Sequence, residues 1–234
     1  MILQLKDYAG SGVGVVISGS TEQRHAGFIF QQNDKVEILH LAWHFMLMLD
    51  TPESYRSNHN LGEFCAYVCD DLLESQAEEV ISFLSMIWRR NRNAIPYGIG
   101  SDGIDTFFDL DGSVASQAPG EGLTCATFVM SVFSKLGFPV IDSSDWQDRP
   151  EDAKWREGIL NALRRHPHYQ DHADAQERHI RQAHRFRPEE VVGCAALLDD
   201  VPQGFLQALE SGQRVLHDMT LKGVMRGVDA TPSA

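Results

Sequence analysis

Three short apolar runs separated by turn signals open this chain, and they commit its first part to an antiparallel sheet. Val13 to Ser18 reads as a buried strand between glycines, His25 to Gln31 as a second and Val36 to Trp43 as a third. The link Gln31-Gln32-Asn33-Asp34-Lys35 is polar and carries Asn-Asp, a turn signal, so the second and third runs are expected to pair as a hairpin. Side chains alternate along a strand, which lets His25 and His40 fall across from one another and share one sheet face.

Helical spacing takes over further along. Leu61 to Leu73 and Glu78 to Arg92 read as helices, the second with Val80, Ile81, Leu84, Ile87 and Trp88 on one face. Asn93 to Gly122 is rich in Gly, Asp, Ser and Pro and reads as an ordered functional loop. Phe128, Val129, Val132, Phe133 and Leu136 then recur at helical spacing until Gly137 and Pro139 close the run. This places Cys125 in the first turn of a helix, where unpaired N–H groups carry partial positive charge. A thiolate there is stabilised, so a depressed thiol pKa and a usable nucleophile are expected.

Beyond residue 140, Pro150 to Leu163 reads as a helix, Arg164 to Arg187 as a polar His- and Arg-rich stretch, and Phe205 to Glu210 as a short helix. The expected organisation is a catalytic core over residues 1–140 and a helical and loop extension over 141–234. That extension packs on the core, locked there by Trp146 and Trp155, and is not an independent domain. The last residues read as weakly structured.

Bulk properties exclude several functions. With 33 acidic against 20 basic residues the net charge is −13, which leaves no basic surface for phosphates or anionic lipid. The opening MILQLKDYAGSGVGVVISG lacks the layout of a secretory signal, and no apolar run reaches membrane-spanning length. A cytoplasmic protein with thiols rather than disulfides is expected, although export by a signal-independent route leaves no readable trace. Cys65 and Cys69 stand four apart on the expected helix without matching histidines, and read as core cysteines, as does Cys194. The histidines His166, His168, His172, His179 and His184 are irregularly spaced among charges and read as mostly a solvated face. No metal and no cofactor are expected.

A thiol nucleophile needs a base, and the base needs a third group to orient it. His25 is the candidate base. His40 is the favoured orienting group, with His44 and the weaker Glu37 as competitors; Glu37 has the opposite strand parity to His40.

The run His25-Ala26-Gly27-Phe28-Ile29, followed by Glu37-Ile38-Leu39-His40-Leu41-Ala42 and later by Thr124-Cys125-Ala126-Thr127-Phe128-Val129, resembles the signature of lecithin:retinol-acyltransferase-like proteins. The wider group is the NlpC-type papain-like hydrolases, in whose circularly permuted members the histidine precedes the cysteine as here. Ile95-Pro96-Tyr97-Gly98-Ile99-Gly100 is similar to the Pro-Tyr-x-x-Gly run of NlpC-type enzymes, whose tyrosine helps to hold substrate or oxyanion. The likeness spans roughly residues 10–140. Cys125 lacks the preceding Asn and following Glu-His of the acyltransferases, and the Asp-Cys-Ser-Gly of the cell-wall enzymes.

The resemblance implies an α+β, papain-like fold of the permuted NlpC type, an antiparallel sheet packed against the helix that carries the cysteine. It implies Cys125 as nucleophile, His25 as base and His40 behind it, with Tyr97 and Thr124 in substrate-binding or oxyanion roles. The expected function is cysteine-dependent hydrolysis of an amide bond in a peptide, amide or acyl substrate, through a thioester. Two alternatives are a lipid acyltransferase or phospholipase-like thiol enzyme, and a non-catalytic binding module on the same fold.

Overall fold

The structure, a computed structural model, describes residues 5–58, 61–100, 103–115, 118–179, 183–198 and 201–225. Five strands form one antiparallel sheet: β1 (Val13–Gly19), β2 (Arg24–Gln32), β3 (Lys35–Trp43), β4 (Met46–Asp50) and β5 (Phe64–Val68), in the order β4-β3-β2-β1-β5. Among the described residues there are seven helices: α1 (Pro52–Ser57), α2 (Glu74–Asn91), α3 (Cys125–Lys135), α4 (Pro150–Arg164), α5 (Gln170–His179), α6 (Pro188–Ala195) and α7 (Phe205–Leu221). The class is α+β.

The expected hairpin is β2–β3, paired from Gln32↔Lys35 to Phe28↔Leu39. Asn33 and Asp34 both take positive φ, the two-residue turn whose twist matches the flanking strands. Beyond Phe28 the two strands part. The start of β2 stays with β1 as far as Gly19↔Arg24, while the end of β3 follows β4 through a register irregularity between Leu41 and Trp43. A fork opens there, and the candidate site is built at it.

The two faces of the sheet carry different layers. Ala26, Phe28, Phe30, Leu39 and Leu41 face the main core, where the Phe28 ring packs on Phe128 and Phe133 of α3 at 6.0 and 5.2 Å. Val16, Ile29 and Ile38 face a smaller cluster closed by Tyr55 of α1 and by Leu61. A cysteine helix packed on the face shared by His25 and His40 is the arrangement expected if the thiol is to meet His25, and the structure corrects it. By strand parity both histidines point to the α1 side, and α3 lies on the other.

Three local expectations are also revised. Leu61 to Leu73 is not a helix: Cys65, Tyr67 and Cys69 are buried and alternate with partly exposed Phe64, Ala66 and Val68, the period of a strand. The polar stretch after Arg164 contains α5, and the short C-terminal helix runs on to Leu221. Residues beyond 140 share the main core, with Leu160, Phe186, Val192 and Val215 in the same buried cluster as Phe28 and Phe128. Trp146 packs on Phe186 and Phe205 at 4.6 and 5.3 Å, and its indole N–H donates to the Arg185 carbonyl. Of the last dozen residues, expected to be weakly structured, 223–225 are described and 226–234 lie outside the described residues.

Candidate active site

Helix α3 begins at the cysteine because Thr124 caps it. The Thr124 hydroxyl accepts from the Thr127 amide at 3.1 Å, and the Thr127 hydroxyl accepts from the Thr124 amide at 2.8 Å. Thr124 lines the site, but its hydroxyl is held by the cap. Cys125 is 5% exposed, with the amides of Ala26, Ala126 and Cys125 itself around the sulfur. Ala26 is the residue after His25, so the thiol sits at the fork in the sheet. Burial pushes the Cys125 thiol up to about 11, outweighing those three amides. The expected depression of its pKa is thus overturned: at neutral pH this is a thiol at rest.

The histidines form a connected chain. His25 Nε2 lies 2.8 Å from His40 Nδ1, and His40 Nε2 lies 3.0 Å from Asp50 Oδ2. The other Asp50 oxygen accepts from the Ser54 hydroxyl at 2.8 Å. An ionised carboxylate only accepts, so His40 Nε2 must carry a proton and neutral His40 presents a lone pair at Nδ1. His25 must then donate from Nε2, which leaves its Nδ1 as a free base. Burial first, and the neighbouring His40 second, hold the His25 imidazole well below the ordinary histidine range. The His40 bond, offset by burial and helped by Ser54, holds the Asp50 carboxyl low and therefore ionised.

Gly27 makes the first of these contacts possible. A Cβ there would stand 2.7 Å from His40 Cβ and 2.9 Å from the Leu39 carbonyl, so only glycine lets the two imidazoles meet across the fork. Among the described residues no hydrogen bond joins His25 to Cys125. Glu37 pairs with Phe30 farther along the hairpin and opens onto a separate groove with Trp88 and Arg92.

Tyr97 is brought to the cysteine by backbone alone. The Leu123 amide donates to the Pro96 carbonyl and the Gly98 amide to the Leu123 carbonyl, at 3.0 and 3.1 Å. A Cβ on Gly98 would lie 2.6 Å from Gly122 Cα, so these two chains touch as only glycines can. The Tyr97 ring tilts against Trp43 at 4.6 Å. Burial, with the Cys125 charge behind it, pushes its phenol well above the ordinary tyrosine range and keeps it a hydrogen-bond donor.

His172, read with its neighbours as mostly a solvated face, instead helps to hold this segment, together with His44, which competed for the orienting role. The Tyr97 amide donates to buried His44 Nδ1 at 3.0 Å. The Gly120 amide donates to His172 Nδ1 at 3.2 Å, and His172 Nε2 and Gln176 Nε2 each donate to the Tyr97 carbonyl at 2.8 Å. The Tyr169 and His172 rings lie 4.2 and 4.5 Å from that of His44. The side chain of His179 lies outside the described residues.

Cys125 opens into a crevice of about 30 Å³. Its lining includes Glu22, Arg24, Tyr97 and Ala126, together with Trp155, Arg185 and Phe186 from beyond residue 140. Asp50, Ser54, Gly27, Arg185 and Trp155 are site residues that sequence reasoning missed. The signal for Asp50 was present in Met46-Leu47-Met48-Leu49-Asp50, an apolar run ended by a carboxylate just before the Thr51-Pro52 helix start.

Among the described residues, no three His, Cys, Asp or Glu side chains converge as a metal site, and no helix is long and apolar enough to cross a membrane. Cys65, Cys69 and Cys194 are buried free thiols away from the crevice. No family model, curated protein or solved structure matches this chain.

Proposed function

We propose that the protein is a thiol-dependent hydrolase of amide bonds, built on a permuted papain-like plan. The observation that carries this reading is the Asp50–His40–His25 chain, whose hydrogen-bond logic leaves a basic nitrogen on the residue whose neighbouring amide touches the Cys125 sulfur.

The chemistry starts from a neutral pair. As the sulfur attacks the substrate carbonyl carbon, its proton passes to His25 Nδ1, a transfer that requires the imidazole at the start of β2 to turn from the α1 side toward Cys125; no thiolate stands exposed between turnovers. The C–S bond forms, the C=O π pair moves to oxygen, and the Cys125 amide and the Tyr97 hydroxyl stabilise that oxyanion. The tetrahedral adduct collapses by breaking the C–N bond, and His25 returns its proton to the departing amine. Water, deprotonated by the same nitrogen, then hydrolyses the thioester to acid and free thiol. His40 and Asp50 hold the His25 tautomer throughout and stabilise its transient positive charge.

The test is a panel of acyl amides, peptides and phospholipids, read by mass spectrometry alongside Cys125→Ser and His25→Ala. Amide turnover that falls about 10²- to 10⁴-fold in each variant, with an acyl group trapped on Cys125, is expected. Phospholipid turnover without amide turnover would replace this reading by the acyltransferase one. No acyl adduct from any substrate or activated ester would leave a binding module.

A further inference from the structure

Although the chain carries −13, the crevice at Cys125 is lined not only by the exposed carboxylate of Glu22 but also by two cations, Arg24 and Arg185. They are not equivalent. Arg24 is committed on both sides, its Nε donating to Glu189 at 2.6 Å and its Nη1 to the Thr21 carbonyl at 2.7 Å.

Arg185 is held but not used up. Its guanidinium lies over the Trp155 ring at 4.4 Å, and Nη1 donates to buried Asp152 at 3.2 Å. The segment is fixed from behind, because the Arg185 carbonyl accepts from the Trp146 indole and from Arg149 Nη2, both at 3.1 Å. Among the described residues the remaining guanidinium nitrogens donate to no partner. A planar cation stacked on an indole, one edge anchored and the other turned to a crevice, suits a carboxylate.

From this we propose that Arg185, floored by Trp155, is the specificity-determining residue of the site, and that the substrate carries a carboxylate a few atoms from the scissile carbonyl. The inference rests on the thiol-hydrolase reading.

Two alkylating reagents of nearly equal size separate the possibilities: iodoacetate, which carries a carboxylate, and iodoacetamide, which does not. A free thiolate repels iodoacetate and reacts faster with iodoacetamide. Rates at Cys125 are measured by peptide mapping on the intact protein at fixed ionic strength between pH 7 and 9. They are compared with those at a thiol of the denatured chain. The iodoacetate-to-iodoacetamide ratio is expected to be at least about tenfold higher at Cys125 than at the denatured thiol. That excess is expected to vanish in Arg185→Gln and to persist in part in Arg185→Lys; a ratio cancels general changes in thiol reactivity.

In the unaltered protein, acetate is expected to slow iodoacetamide labelling saturably while acetamide does not, a measurement that needs no variant to fold. An excess that survives Arg185→Gln overturns the proposal, since it then arises from a group other than Arg185. Iodoacetamide labelling with no iodoacetate excess and no acetate protection also overturns it and leaves the thiol reading standing. Failure of both reagents to label Cys125 removes the nucleophile, and this proposal with it.

Discussion

Asp50 is the residue on which the proton chemistry turns, because every tautomer in the chain follows from its being an acceptor. In Asp50→Asn an amide N–H₂ can face His40, which then accepts at Nε2 and donates from Nδ1. His25 must accept in turn, and its Nδ1 becomes a donor, useless as a base. Nitrogen-15 spectra of the imidazoles are expected to report this exchange of protonated nitrogens, with amide turnover lowered about 10²-fold or more. Unchanged imidazole spectra together with lost turnover would assign Asp50 a structural role instead. Gly27→Ala acts on the same contact by steric means. Its methyl meets His40 Cβ at 2.7 Å, and overpacking of this kind costs about 1–3 kcal/mol in urea denaturation.

Elements position these groups, and they were unevenly legible in the sequence. The β2–β3 hairpin was readable because alternation and an Asn-Asp turn report local geometry. The start of α3 was readable because apolar spacing does the same; that Thr124 caps it was seen only in the structure. Strand β5 was misread because Cys65 and Cys69 satisfy a four-residue helical spacing as well as the two-residue one; what decides is pairing with β1, a distant partner. The clasp over Tyr97 was invisible for a related reason. His44 and His172 are held by backbone amides of segments far away in the chain, and no local pattern encodes such partners.

That clasp sets a pH dependence. Both imidazoles accept a backbone N–H at Nδ1 and must be neutral to do so. Burial, with His172 beside it, lowers His44 from 6.5 to about 4, and burial also lowers His172. The unfolded chain takes up protons that the folded one refuses. Stability from the clasp is therefore complete above about 6.5 and is lost as pH falls toward about 4. Asn places an amide oxygen near the Nδ1 position without titrating there. Denaturation midpoints of His44→Asn are thus expected to fall less than those of the unaltered protein between pH 7 and 5, and an equal fall would rule the clasp out as the acid-sensitive element.

At the scale of the molecule, the segment beyond residue 140 is part of the site because a buried ionic network ties it down. Asp152 is fully buried and pairs with Arg149, Arg185 and Arg187 at 3.2 Å each, while Arg149 also pairs with Glu190. Burial alone would raise the Asp152 carboxyl, but Arg149 and Arg187 hold it below its usual range. Removing one member strands the others' charge away from water. Asp152→Asn is expected to cost about 3–5 kcal/mol in urea denaturation. A loss below about 1 kcal/mol would show that solvent reaches the network.

The fork between β2 and β3 sets the thiol on one side of the sheet and the His40–Asp50 pair on the other. On the proposed reading, a molecule lodged in the crevice touches Cys125 and the Trp155 and Arg185 side chains that select it, but meets neither Asp50 nor Ser54. Selectivity and basicity are thus written in separate layers of the protein. Changes around Trp155 and Arg185 can redirect this scaffold to new compounds while its proton relay stays intact, and an inhibitor built for the crevice has no hold on the residues that set the base.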